Sequence, residues 1–243
     1  MKTVFINGSP KKNLSVSSYL LGVVRLLVRG NVVKENVRNK NDHARILQNI
    51  KDADAVVFGV PLYVDGVPSH VLGFMKEMEN FCKENNISLK VYVVSNGGFI
   101  EGNQNRPLLQ VFENFSRRSG LEWGGGIGIG GGVMLNVYRI MFFVYIGSLL
   151  LNILVSGIQT GNWLPVDSLI NFAKQMFIVL FFNIGVFIYG LRMGFAINKG
   201  NKCGKKYTRA MLPSFVFIIV ADIFFTIISI FKGGFFRGWF SKK

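Results

Sequence analysis

At 243 residues the chain has room for one or two domains, and 50% of it is hydrophobic. Residues 1–133 carry 16 Lys+Arg against 11 Asp+Glu, whereas 134–243 carry 12 against only Asp167 and Asp222, so most of the net +15 lies in the second part. Long apolar runs separate those later charges, which points to a membrane rather than to nucleic acid, and two cysteines exclude a disulfide framework.

The first part alternates strand and helix patterns. Residues 2–7 read as a strand, 14–28 as a helix, 32–37 as a weak strand and 42–50 as a helix capped by Asn41 or Asp42. An apolar run at 55–60, bounded by Asp54 and Pro61, reads as a buried strand. Helix 67–83, strand 89–95, helix 106–119 and a last strand at 121–130 follow. Five strands and four helices predict an α/β fold, a parallel sheet of order 2-1-3-4-5 with helices on both faces. The glycine run 124–132 contains Gly126-x-Gly128-x-x-Gly131, but it follows the last strand and has no acid about 20 residues on. It reads instead as a final strand of little bulk and then a pliable joint.

That topology brings three loops to one sheet edge. The first, Gly8-Ser9-Pro10-Lys11-Lys12-Asn13-Leu14-Ser15, runs from a strand into a helix start, where free amides and the helix dipole favour an anion such as phosphate. An ordinary capped strand-to-helix turn has the same pattern, and the Gly-Lys-Ser/Thr ending of a Walker loop is missing. The second loop carries Pro61, Leu62, Tyr63, Val64, Asp65 and Gly66, and the third Asn96, Gly97, Gly98 and Phe99. Tyr63 and Phe99 are either stacking platforms for a flat ring or structural aromatics, and Asp65 either a helix cap or a ligand neighbour. His43 and His70 are isolated, so no catalytic triad and no metal site is predicted. Cys82 reads as a small buried hydrophobe, and Cys203 as a thiol in a basic loop that favours its thiolate.

Gly8-Ser9-Pro10-Lys11-Lys12-Asn13, the Pro61-Leu62-Tyr63 turn with Gly66 and Pro68, and Gly97-Gly98 resemble the flavodoxin-like, NADPH-dependent FMN reductase family over about residues 1–133. The resemblance implies FMN as cofactor and NAD(P)H as co-substrate. It implies phosphate-loop positions at Ser9, Lys11, Asn13, Leu14, Ser15 and Val16. Pro61, Leu62, Tyr63, Val64 and Asp65 would lie on one side of the ring and ribityl chain, with Asn96, Gly97, Gly98 and Phe99 on the other. Val16 stands where the family often has a hydroxyl, and Val64-Asp65 where an aromatic-Gly pair is common.

Beyond residue 133 the pattern predicts an all-α membrane region with spans at 135–157, 169–191 and 211–231. Arg192, Lys199, Lys202, Lys205, Lys206 and Arg209 form a basic loop expected in the cytoplasm, where the first domain also lies because no signal peptide precedes it. Lys232, Arg237, Lys242 and Lys243 would then fall outside, unless one span is re-entrant, and residues 235–240 read as an interface anchor. Asp222 within the third span calls for a partner: Lys174, Arg192, Asn152 or Asn183.

The expectation is therefore a multi-pass cell-membrane protein with a cytoplasmic FMN-binding domain. It would pass electrons or hydride from NAD(P)H or a redox protein to a small-molecule acceptor. Two alternatives stand beside it: a non-catalytic docking or sensory module, and the regulatory domain of a small transporter that works as a homo-oligomer.

Overall fold

The computed structural model describes residues 1–11, 15–64, 66–231 and 234. The candidate positions Asn13, Leu14 and Asp65, together with Lys12, Lys232, the 235–240 anchor, Lys242 and Lys243, lie outside them. Strands β1 (Lys2–Asn7), β2 (Asn31–Asn36), β3 (Ala55–Pro61), β4 (Lys90–Asn96), β5 (Glu122–Gly130) and β6 (Gly204–Arg209) form one sheet in the order β2-β1-β3-β4-β5-β6. Every pairing is parallel. The first five strands take the expected flavodoxin-like order; β6 is an addition.

Helices cover both faces. On one, α2 (His43–Ile50), α3 (Ser69–Glu84) and α4 (Arg106–Arg118) bury Ile46, Phe74, Met78 and Phe112 against Val4, Val56, Phe58 and Val93. Phe58 stands at the centre, 5.0 Å from the Phe112 ring and 6.3 Å from that of Phe74. The opposite face, carrying Phe5, Val57, Tyr92, Val94, Ile127 and Ile129, is covered by α1 (Val16–Arg25) and by α7 (Ile184–Asn198).

The second cover corrects the sequence reading. The span expected at 169–191 is two helices, α6 (Val166–Phe182) and α7, bent by 69° at Asn183. Asn183 leaves helical geometry (φ −103°, ψ 6°) and its amide donates to the Val179 carbonyl at 2.8 Å, so one polar residue ends α6 and turns the chain. Helix α7 then lies on the sheet, burying Val186, Gly190, Met193, Gly194 and Ile197, a spacing that draws one helical stripe. A Cβ on Gly194 would stand 2.5 Å from the Val24 carbonyl oxygen, so glycine is what lets α7 approach α1 this closely. At the far end Asn198 accepts from the Arg29 amide at 2.8 Å, and the Tyr92 hydroxyl donates to the Asn201 carbonyl at 2.7 Å.

The region is therefore not all-α. The basic loop contains β6, whose alternating Lys205 and Tyr207 face α4: Lys205 pairs with Glu113 and donates to Gln110 at 2.8 Å. That bond to Lys205 is the main cause holding the Glu113 carboxyl below its ordinary range. Lysines on an edge strand also deter pairing with another chain. Nor is the end of β5 a pliable joint: Gly131 (φ +74°) donates to the Phe99 carbonyl at 2.6 Å and Gly132 to that of Gly97 at 2.8 Å.

Three apolar helices leave the carboxyl rim of this sheet. Helix α5 (Gly132–Thr160) starts two residues after β5 and α8 (Ser214–Phe231) soon after β6, while α6 returns to the rim, where its Phe182 carbonyl accepts from the Met211 amide at 2.9 Å. Two of them, α5 and α8, are long and apolar enough to cross a membrane, and up to three spans exist if the bent α6–α7 pair counts as one. Most of their large side chains are exposed, among them Phe143, Leu150, Leu154, Phe177, Ile219 and Phe225, an apolar surface that soluble monomers rarely display. Asp222 is exposed on α8 and makes no ion pair among the described residues; Asn183 is engaged with Val179 instead.

Candidate functional site

The three loops do meet. Parallel strands end their β1, β3 and β4 turns at one rim, and a cleft of about 240 Å³ there is lined by Ser9, Lys11, Ser15, Val16, Pro61, Leu62, Tyr63, Asn96 and Gly98. Of the remaining described candidates, Gly97 is buried and Phe99 and Val64 are exposed, and none of the three lines the cleft. Phe99 contributes its carbonyl to Gly131 rather than its ring to the cleft.

The first loop is held from below by Asn7, a residue that sequence reasoning treated only as a strand end. Its side-chain oxygen accepts from the Ser9 amide at 3.1 Å and the Ser15 hydroxyl at 3.5 Å, and its amide donates to Asn36 at 3.0 Å. Ser15 caps α1 through the Ser18 amide at 3.1 Å, and Ser18 reciprocates to the Ser15 amide at 3.2 Å, a capping box. His70, at the start of α3, reaches the Gly8 carbonyl at 3.1 Å, so it braces the same loop. Ser17 on α1 donates to Asn96 at 3.0 Å, which joins the first loop to the third.

Charge at this rim favours an anion. Helix α1 has no acidic residue in its first turn, Lys11 lines the cleft, and Arg139 of α5 donates to the Ser15 carbonyl at 3.2 Å and to Asn136 at 2.7 Å. Arg139 lies more than a hundred residues from the loop it touches, inside a run that reads as lipid-facing, so no local signal assigns it. The same holds for Gly132, Val133 and Asn136 of α5 and for Phe224 and Phe225 of α8, which complete the cleft. Asn105 is likewise silent in the sequence. Fully buried, it accepts from Ser95 at 2.7 Å and donates to the Gly102 and Ile129 carbonyls at 3.1 and 3.2 Å, fixing the base of the third loop.

The second loop carries strain. Tyr63 and Gly66 exchange backbone hydrogen bonds at 3.1 and 2.9 Å, and the tight turn forces Val64 to φ +46° with its side chain fully exposed. A β-branched residue there is an outlier, and the left-handed conformation costs about 1–2 kcal/mol. Val64→Asn, which tolerates that conformation, is expected to stabilise the full chain by about 1 kcal/mol in thermal unfolding. Beside it Tyr63 is 43% exposed, and its partial burial pushes the phenol up, so it stays neutral.

The cysteines separate. Cys82 is buried as expected, its thiol pushed up to about 11 by desolvation. Cys203 departs from expectation: burial raises its thiol to about 11 as well, outweighing the nearby Arg192 and Lys206, so the thiolate is disfavoured. His43 stands buried at the first position of α2, its ring nitrogen 2.9 Å from Glu77.

No protein-family model matches the chain, and no curated protein matches it. Among solved structures it is similar to the Trp repressor binding protein from Bacillus subtilis, at 17% identity over 53% of this chain and 84% of that one, with a TM-score of 0.43. A flavodoxin, WrbA-like protein from Agrobacterium tumefaciens matches at 14% identity over 50% of this chain and 75% of the other, TM-score 0.43. An NADPH-quinone reductase from P. pentosaceus matches at 13% identity over 54% and 86%, TM-score 0.46. The fold assignment rests on the strand order and pairing described above.

Proposed function

We propose that this chain is a membrane-anchored flavoprotein oxidoreductase that holds FMN at the carboxyl rim of its sheet. The observation that carries the reading is the convergence of the Ser9–Lys11 loop, the Pro61–Tyr63 turn and Asn96 on one cleft that Lys11 lines. The donor set suits a phosphate ester: serine hydroxyls, the first-turn amides of α1 and the Lys11 ammonium. At about 240 Å³ the cleft is smaller than sites that enclose a whole ligand (about 300–1,000 Å³), so it would grip the cofactor along one edge and leave the ring against exposed Tyr63. When bound, the flavin supplies the hydride or electron exchange. This chain's residues bind and orient it: Lys11 holds the phosphate end, and Pro61, Leu62 and Tyr63 form the wall for the ring.

NAD(P)H or a redox protein would deliver reducing equivalents, and an acceptor near the bilayer would take them. The apolar helices leave the same rim, which supports a site facing the membrane surface. Arg192, Lys199, Lys202, Lys205, Lys206 and Arg209 all belong to α7, β6 and their connection, on the sheet side of those helices, which supports a cytoplasmic sheet with α5 and α6 as an outgoing and returning pair. Phe224 and Phe225, which wall the cleft, favour a second reading, a docking or sensory module whose rim α8 covers.

Purifying the full chain in detergent tests the proposal. A yellow preparation with flavin absorption near ~450 nm, bleached by NAD(P)H, is the expected result. A colourless preparation that takes up no added FMN overturns it and leaves the module reading.

A further inference from the structure

A second hollow, of about 500 Å³, lies between α1, α5, α6 and α7, outside the flavin cleft. Its walls change character along their length. Helix α5 runs away from the sheet rim and α6 back towards it, so Tyr138, Arg139 and Asn183 lie nearest the rim, with Ser18 and Tyr19 of α1. Phe142, Phe143 and Met176 lie one turn or more further out. One end is thus polar and cationic, the other apolar, which is the polarity of a lipid at a membrane surface.

Two buried groups at the polar end lack partners. Among the described residues the Tyr138 hydroxyl and the Asn183 side-chain oxygen make no hydrogen bond, although Tyr138 is 7% and Asn183 1% exposed. Leaving such groups unpaired is costly. Neither is free to turn away. The Asn183 amide donates to the Val179 carbonyl, which fixes its oxygen as an acceptor, and the Tyr138 ring stacks on Phe182 with centroids 5.8 Å apart and planes 5° apart. A ligand head here must donate a hydrogen bond to Asn183, meet the Tyr138 hydroxyl and carry negative charge towards Arg139. No acidic side chain lines the hollow.

We infer that this hollow binds an anionic amphiphile with a hydroxyl-bearing head, a glycerophosphate lipid such as phosphatidylglycerol, taken head-first from the bilayer. The phosphate lies towards Arg139, a head hydroxyl donates to Asn183, and an acyl chain runs outward between Phe142, Phe143 and Met176. A soluble glycerol phosphate offers the same head chemistry but leaves the apolar length uncovered. The inference rests on the bilayer reading of α5 and α6 and is independent of flavin binding.

The test uses the delipidated full chain in detergent, titrated with dioleoyl-phosphatidylglycerol, dioleoyl-phosphatidylcholine or glycerol 3-phosphate while thermal stability and bound lipid are measured. Phosphatidylglycerol is expected to bind at least about tenfold tighter than phosphatidylcholine, and glycerol 3-phosphate to leave the melting temperature unchanged. Tyr138→Phe and Asn183→Leu are each expected to weaken phosphatidylglycerol about five- to tenfold, the scale of one lost hydrogen bond. Tyr138→Phe removes only a hydroxyl and carries the test where Asn183→Leu does not fold. Equal binding of the two lipids (annular lipid only), an undiminished preference in Tyr138→Phe, or binding of glycerol 3-phosphate alone overturns the inference. Retention of the chain in alkali-washed membranes reads the bilayer assignment separately.

Discussion

A chain cut after residue 133 is expected to be insoluble or to lack a cooperative melt, whereas 1–133 joined by a flexible linker to 184–212 is expected to fold and stay soluble. The cut removes α7 and β6 and bares the sheet face of Phe5, Val57, Tyr92, Ile127 and Ile129 beside α1. Val186, Met193 and Ile197 are each at most 1% exposed. At roughly 1.5–3 kcal/mol per buried side chain, these three alone contribute about 5–9 kcal/mol, which matches the whole stability of many domains, about 5–15 kcal/mol. The linker version omits the α5–α6 excursion and restores that cover. Solubility, near-ultraviolet dichroism and thermal unfolding of the two proteins decide the matter. A soluble, cooperatively melting 1–133 would show that α7 is dispensable.

The asymmetry between the two halves has a physical origin. Strands buried on both faces read as unbroken apolar runs, so 55–60 between Asp54 and Pro61 is plain in the sequence, and the loops follow from the strand order. Helix α7 hides because its outward face is apolar too: Ile188 is 48% and Phe195 54% exposed. With no polar stripe, a helix lying on a sheet has the composition of one lying in lipid. Strand β6 hides because a lysine-rich edge strand looks like a cytoplasmic basic loop. The bend at Asn183 has a sequence signal, an amide inside an apolar run, but the same signal fits a partner for Asp222. Within the site, Ser9, Ser15, Pro61 and Asn96 follow from strand order, whereas Asn136, Phe224 and Phe225 arrive through tertiary packing of distant helices.

Asn7→Asp is expected to abolish tight FMN binding while leaving the fold intact. The substitution keeps an oxygen for the Ser9 amide and the Ser15 hydroxyl, and Asn36 can turn its amide to meet the second oxygen. What changes is charge. A carboxylate beneath the first loop, roughly 6 Å from a bound phosphate at an effective dielectric near 20, costs about 3 kcal/mol, or on the order of a hundredfold in affinity. Riboflavin, which has the ring but no phosphate, escapes this repulsion, so its affinity is expected to change less than about threefold. Titrating both flavins into wild-type and Asn7→Asp chains, with quenching of flavin fluorescence as the readout, separates the possibilities. Equal losses for the two would mean that the loop has collapsed. Unchanged FMN affinity would mean that the phosphate lies elsewhere, and the anion-binding reading of the first loop would be lost with it.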